Sequence, residues 1–533
     1  MTGRGAFNLP VAVSGDEGIA RVATGVAAFV GRTLKGPLHQ PVRIASFAEF
    51  QTHFGGLWQP STLSYAIEQY FDNGGREALV VRIANGARAP SLSLPGAAGP
   101  LLLHGLNPGS REYLRAAVDY DGIEASEPER FNLVVQRLRV PGSQLIEDQE
   151  IFRRVSIAGG ARCVGDVLAE SRLVRLAAEP PSVRPDPTAS GAPGAVVGYV
   201  SANSDGYDGA AVSDYDVIGS AARGTGLFAL GPEHAFDLLY VPPLAREHDV
   251  GLATLLVATR FCRERHAVLL VDPPAHWSSA PVALEEMRSW PFRSESAVMF
   301  FPRIVGFDRL RNRPEIFGSG AAAAGMLARG DATCPVWAPA EGEELLLRPA
   351  YRPAFGVSEG ERHRLSHAGI NTLYATRSVS RACLALCTLA AGACASAQGK
   401  FLAARRLELF ICASIERGMH WLAAAPNQPE VRSRAQAQVE RFLAALDREG
   451  AFGGSRPEES YFAVCDERVN GPEVIAAGAV QLLFAFAPAR PAEFNAWLLS
   501  FESGRSRMRP IAVNRLATSR ERVESEIESS ILG

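Results

Sequence analysis

The stretch from Thr24 to Ile83 constrains the fold more than any other part of the chain. Val26 to Val30 is an unbroken apolar run of strand length, closed by Gly31. Gly36-Pro37 and Pro41 break the chain, and Val42 to Ile44 predicts a second, short strand. Phe47 and Phe50 mark a turn of helix stopped by Gly55-Gly56. Ser64 to Phe71 predicts a helix with Ile67, Tyr70 and Phe71 on one side. Asn73-Gly74-Gly75 is its C-cap signal, because glycine tolerates the left-handed conformation there. Ala78 to Ile83 predicts a buried strand. These residue types suit packing, and none of them suits chemistry.

With 533 residues, the chain is too long for one core and predicts roughly two to four domains. An apolar share of 47% and a mean hydropathy near zero fit a globular protein. A net charge of -3 argues against a broad nucleic-acid surface, which needs excess Lys and Arg. The 8 cysteines lack paired spacing and read as reduced core residues. Cys383, Cys387 and Cys394 have no neighbouring histidine or CxxC pair, so no zinc site is expected. His363 and His367 stand four apart without a third ligand nearby and read as surface residues. Val379 to Ala397 contains Arg381 and many small residues, so no membrane span is expected. The N-terminus shows no basic segment followed by an apolar one, so no signal peptide is expected.

The expected class is α/β (mixed α+β), in several units. Residues 1–23 form a lead whose one strand-like piece is Leu9 to Ser14, with 24–86 as the first packed region. Residues 87–196 predict a β-rich insertion after a linker at Asn85 to Pro100, with strands at Tyr113 to Asp119, Phe131 to Leu138 and Leu145 to Glu150. Asn203 to Gly209 superficially resembles a calcium loop, but the closing acid would fall on Val212, so it reads as a turn. Residues 197–358 predict a central unit: Phe236 to Pro243 and Ala267 to Val271 as parallel strands flanking a helix at Val250 to Glu264, then Val298 to Pro302. Asp272 falls at the carboxyl end of a parallel strand, where α/β enzymes place catalytic groups. No nucleophile elbow or phosphate loop accompanies it, so it reads as a structural turn residue. A helix from Ala321 should end at Arg329-Gly330-Asp331. Residues 359–502 predict a C-terminal core with helices at Arg405 to Leu422 and Pro429 to Gly450, and strands at Tyr461 to Asp466 and Gly478 to Ala487. On the second helix Val431, Ala435, Val439, Phe442 and Leu446 share the inward face, while Arg432, Arg434, Arg441 and Arg448 are expected on the others. Residues 503–533 extend beyond that core, with a strand expected at Ile511 to Leu516 and a short mixed-charge helix at Arg520 to Ile531.

Several pieces, in order, resemble contractile tail sheath proteins of phages, R-type bacteriocins and related injection systems. They are Thr24 to Arg32, Gly36 to Leu38, Ser46 to Gly56, Phe71 to Arg82, Leu365 to Asn371, Arg405-Arg406-Leu407, Val464-Cys465-Asp466 with Asn470, and Ala487-Pro488 with Pro491 to Phe494. The resemblance spans roughly Thr24 to Phe501. It implies a structural subunit, not an enzyme, that stacks in six-fold rings around an inner tube and contracts. It implies no cofactor and no metal. The implied partners are other copies of the chain, the inner tube protein, and baseplate and terminator or cap proteins, with no nucleic acid and no membrane insertion. Assembly in the bacterial cytoplasm would precede residence in a tail or a released particle. Terminal arms would exchange strands between subunits: Leu9, Pro10, Val11, Ala12 and Val13 at one end, and Ile511, Ala512, Val513 and Asn514 at the other. The four arginines Arg432, Arg434, Arg441 and Arg448 would face the tube. Two alternatives stay open: a non-contractile sheath paralogue or tail cap, and an α/β hydrolase-like enzyme built on the central unit.

Overall fold

The computed structural model describes residues 18–140, 145–160, 162–188, 198–202, 206–338, 346–373, 385–393, 397–488, 494–502 and 504–511. It opens with strands β1 (Val26–Gly31) and β2 (Val42–Ile44), helices α1 (Phe47–Phe54) and α2 (Thr62–Asp72), and strand β3 (Glu77–Arg82). Each helix starts where a serine can serve as N-cap: Ser46 Oγ accepts from the Glu49 N–H at 3.2 Å, and Ser61 Oγ accepts from the Ser64 N–H at 3.1 Å. Gly55 ends α1 in the left-handed conformation at φ 89°.

Next comes the β-rich insertion: β4 (Ser91–Leu94), β5 (Leu101–Gly105), β6 (Tyr113–Asp119), β7 (Arg130–Leu138), β8 (Ile146–Ser156), α3 (Val164–Ala169), β9 (Val174–Leu176) and β10 (Val200–Ser201). Two sheets, ordered β10-β6-β7-β8 and β4-β5-β9, enclose one apolar core. The expected linker at 85–100 is in part a strand. Its Ser-Leu-Ser-Leu alternates with period two, and β4 buries Leu92 and Leu94 against β5. The turn at 206–209 is held by Asp208, which accepts from the Ser110 N–H at 2.8 Å and from its hydroxyl at 2.7 Å.

The chain then supplies α4 (Asp214–Ile218), β11 (Leu238–Tyr240), α5 (Leu252–Glu264), β12 (Val268–Val271), α6 (Ala280–Ser289), β13 (Ala297–Phe301), β14 (Ile304–Asp308), β15 (Arg313–Phe317), α7 (Gly320–Asp331), β16 (Tyr351–Pro353), α8 (Glu359–His367) and β17 (Asn371–Thr372). One seven-stranded sheet unites this segment with the N-terminal one, in the order β17-β13-β12-β11-β1-β3-β2. All neighbours are parallel except β2 against β3. The βαβ unit β11-α5-β12 is parallel, as its spacing predicts.

Both faces of this sheet are covered. Ala27 and Phe29 of β1 point into a core shared with α1, α2 and α7. Val26, Ala28 and Val30 point into a second core shared with α5, α6 and α8. The small residues of α7 let it lie close on α2. A Cβ at Gly325 would stand 2.3 Å from the Tyr70 carbonyl oxygen, so that contact requires glycine.

The C-terminal unit contains α9 (Ala397–Lys400), α10 (Leu402–Gly418), α11 (Pro429–Arg448), α12 (Pro457–Ser460), β18 (Tyr461–Val464), α13 (Pro472–Ala476), β19 (Val480–Phe486), β20 (Asn495–Glu502) and β21 (Arg505–Ile511). Its sheet is an antiparallel meander, β18-β19-β20-β21. One face packs on α10 and α11 through Leu482, Phe484 and Phe486. The other carries a smaller cluster around Phe462, Leu483 and Leu498. Residues 18–23 lie on the same unit: Ile19 and Val22 pack on its core, and Arg21 pairs with Glu449 at 2.6 and 2.9 Å.

Candidate assembly interface

Helix α10 joins the central sheet to the C-terminal sheet, and three polar links hold it there. Arg406 reaches both carboxylate oxygens of Asp331 at the end of α7, one at 2.7 Å, and Asp237 just before β11 at 2.8 Å. Asp237 in turn accepts the Val26 N–H of β1 at 2.8 Å. Burial pulls the Arg406 guanidinium down, but Asp331 and then Asp237 outweigh it and hold its pKa above the ordinary value. Next to it, Arg405 pairs with Glu408 at 2.7 Å and donates to Ser296 Oγ at 2.8 Å, while Trp497 of β20 donates to Glu408 at 3.2 Å. The third link is His266 Nε2 to Glu416 Oε2 at 2.9 Å, with Ser506 of β21 donating to the same carboxylate at 2.7 Å. Burial alone would raise the Glu416 pKa, yet the His266 contact carries it below the ordinary carboxylate value. The Arg-Gly-Asp triplet is therefore turned inward: Arg329 donates to the carbonyls of Asn73 and Leu346, and Asp331 binds Arg406.

The outer face of α11 carries the predicted arginines, with one correction. Arg434, Arg441 and Arg448 recur every seven residues and stay exposed, so they form one stripe along the helix. Arg434 lies 5.0 Å from the Trp421 ring centroid, and Arg441 and Arg448 each donate to a carbonyl of their own helix at 3.2 Å. Arg432 is 6% exposed and is not on an outer face. It donates to Asn427 Oδ1 at 2.9 Å, and Asn427 donates to the Ala479 carbonyl at 2.6 Å, tying α11 to the run into β19. Position 432 lies seven before Val439 and three before Ala435, so the helical spacing already put it on the apolar side.

Of the predicted arm residues, Ile511 is described. It ends β21 and pairs with Ala496 of the same chain, 7% exposed. Leu9, Pro10, Val11, Ala12, Val13, Ala512, Val513 and Asn514 lie outside the described residues. The expected strand at 511–516 begins earlier, at Arg505. Arginine at every second position masked it from a search for apolar alternation. Strand β20 was also missed, although Ala496, Leu498 and Trp497, Leu499 supply two apolar faces.

Asp272 has a structural role. Tyr240 donates to it at 2.7 Å and the Gly320 N–H at 2.8 Å, so it caps the start of α7, and burial raises its pKa. A cavity of about 380 Å³ opens at the carboxyl ends of β1 and β11, lined in part by Arg32, Asp214, His248 and Asp249. There Asp249 is engaged by Arg303 at 2.6 Å and by the Ala275 N–H at 2.9 Å. Among the described residues no group of three or more His, Cys, Asp or Glu could hold a metal ion. His363 and His367 are exposed on α8. No described helix is long and apolar enough to cross a membrane.

No protein-family model matches the sequence, and no curated protein matches it. Solved structures do. A sheath tail protein from Listeria innocua superposes with a TM-score of 0.58 at 12% identity, covering 90% of this chain and 95% of its own. A sheath tail protein from Desulfitobacterium hafniense gives 0.50 at 13% identity, covering 94% and 100%. The PVC sheath complex, from an extracellular contractile injection system in its contracted state, gives 0.50 at 15% identity, covering 93% and 96%. The chain has the fold seen in these sheath proteins, over most of its length.

Proposed function

We propose that this chain, which folds as sheath tail proteins do, is the subunit of a contractile sheath. It would polymerise with its own copies as stacked six-fold rings around an inner tube, on a baseplate and beneath a terminator or cap. The observation that carries this reading is the match across nine-tenths of the chain to sheath proteins, including one from a contracted sheath. The physical reading agrees with it. The chain's most elaborate polar contacts fasten modules to one another, and Asp237 and Asp272 serve as structural anchors.

In this account the central sheet is the rigid body, and the C-terminal unit makes the contacts. Leu9 to Val13 and Ala512 to Asn514 are the connecting segments, since an open sheet edge gains backbone hydrogen bonds from any extended segment laid along it, while Ile511 stays in the sheet of its own chain. Arg434, Arg441 and Arg448 face the tube, while Arg432 holds α11 in place. Contraction requires two packings of the same subunits, the contracted one lower in free energy. The energy is stored at assembly, so no cofactor is needed.

The test is deletion of residues 1–17, which leaves the packed residues Ile19, Arg21 and Val22 in place. The truncated chain should keep the circular dichroism and unfolding midpoint of the full chain, yet fail to form polymers by sedimentation. Polymers of full length from the truncated chain would sink the arm assignment.

A further inference from the structure

Two exposed apolar patches lie on opposite faces of the central sheet. The first is on the side of α5. Tyr215 of α4 is 85% exposed, more than any other large apolar side chain among the described residues. Helix α4 sits against the start of α5, so closely that a Cβ at Gly251 would collide with the Asp214 carboxylate. Leu252 and Leu256, one turn apart on α5, are exposed there too. Asp214 and Asp216 flank Tyr215, and the first base along α5, Arg260, is neutralised by Glu264 at 3.0 Å.

The second patch is the outer face of the small sheet β15-β14-β16. Alternation along β14 puts Val305 and Phe307 on that face, and the register adds Ile316 opposite Val305 and Pro314 opposite Phe307. Phe307 and Ile316 are each 55% exposed, and Leu310 in the connecting turn is exposed as well. Arg309, Arg311, Arg313 and Arg352 rim the patch. Two acids answer them, since Glu68 pairs with Arg309 and Glu315 is shared by Arg311 and Arg313. Asp308, on the inner face, is taken by Arg246 at 2.7 Å. The rim is therefore cationic.

The inner face of this small sheet packs Ile304, Phe317 and Tyr351 into the core on the α2 side, while α4 and α5 pack Val217 and Leu255 into the core on the other side. The two patches thus face away from each other across the central sheet. Both begin beyond the carboxyl ends of its strands, since α5 follows β11 and β14 follows β13. A tyrosine and leucine patch with an acidic border fits an apolar patch with an arginine border, in composition as in charge. Either patch laid on its own copy would bring like charges together. A contact between two different patches of one chain is head-to-tail, and it repeats into a ring where the rotation closes.

We propose that the α4 and α5 patch of one copy docks on the β14 and β15 patch of the next, with Tyr215 seated among Phe307, Leu310 and Ile316, and Asp214 and Asp216 meeting the arginine rim. The contact rests on the self-assembly proposed above, and adds a contact between central sheets to those of the C-terminal unit.

Leu252→Cys with Leu310→Cys in one full-length chain tests it under a short bismaleimide, in a Cys334→Ser background because Cys334 is exposed. The double variant should give a covalent ladder of dimers, trimers and larger species, because its two thiols lie on opposite faces and join different neighbours. Each single variant should link no more than the background chain does. Dimers from a single variant, or a double variant no more linked than the background, would overturn the proposal. A second measurement keeps both leucines. Tyr215→Ser should leave the unfolding midpoint unchanged, yet raise the concentration needed for polymerisation at least about tenfold. An unchanged threshold would overturn the proposal too. Polymers without a ladder overturn this contact and leave the sheath reading standing, whereas the absence of both polymers and ladder overturns both.

Discussion

The central sheet and the C-terminal sheet solve the edge problem in opposite ways. The seven-stranded sheet ends in strands of two and three residues, β17 and β2, and helices cover both faces. The four-stranded sheet ends in β18 and β21, of four and seven residues, and its helices α10 and α11 lie on one face. Short edges offer little backbone for another chain to join, whereas a seven-residue edge offers a full strand's worth. The first sheet is closed at its edges, and among the described residues the second leaves a full strand open.

The largest expected effect breaks the link between them. Arg406→Met would leave Asp331 and Asp237 buried without their counter-charge, costing about 3–5 kcal/mol, read as a lowered denaturant midpoint. A two-step unfolding curve from that variant would show that α10 couples the regions. Within the closed sheet, Phe29→Ala removes a fully buried ring and should cost about 3–5 kcal/mol, while outside that sheet Phe307→Ala, on the exposed side of β14, should stay within about 0.5 kcal/mol.

A smaller effect is pH-dependent. The folded pKa of Glu416 lies below its ordinary value of 4.5. Its contribution is therefore present above that value and lost as pH falls through the folded pKa. Glu416→Gln should flatten the decline in stability on the acid side and lower stability at neutral pH, measured by thermal unfolding across a pH series. The smallest effect on folding belongs to the exposed stripe. Arg441→Glu with Arg448→Glu should change stability by no more than about 0.5 kcal/mol, yet prevent co-sedimentation with the tube protein. Loss of stability without loss of tube binding would reverse the assignment.

The closed sheet was the more legible in sequence, for the same reason that it is closed. Val26 to Val30, Ala78 to Ile83 and Ala267 to Val271 are continuous apolar runs, and the structure makes strands of all three. Their neighbours were not legible: β1 lies between β3 and β11, and the β11 partner follows after the whole insertion. In the C-terminal unit α11 was read from its periodicity, but Arg432 was placed by its charge and not by its spacing. The arginines of β21 hid a strand because a solvent edge needs no apolar alternation. What was missed lies mainly where the polar side chains carry the contact.

The most direct test of the account is electron microscopy of the purified full chain, alone and with its tube protein. The account predicts hollow cylinders with a regular ring repeat and six-fold symmetry in cross-section. Only monomers, or single rings that never stack with tube protein present, would contradict it.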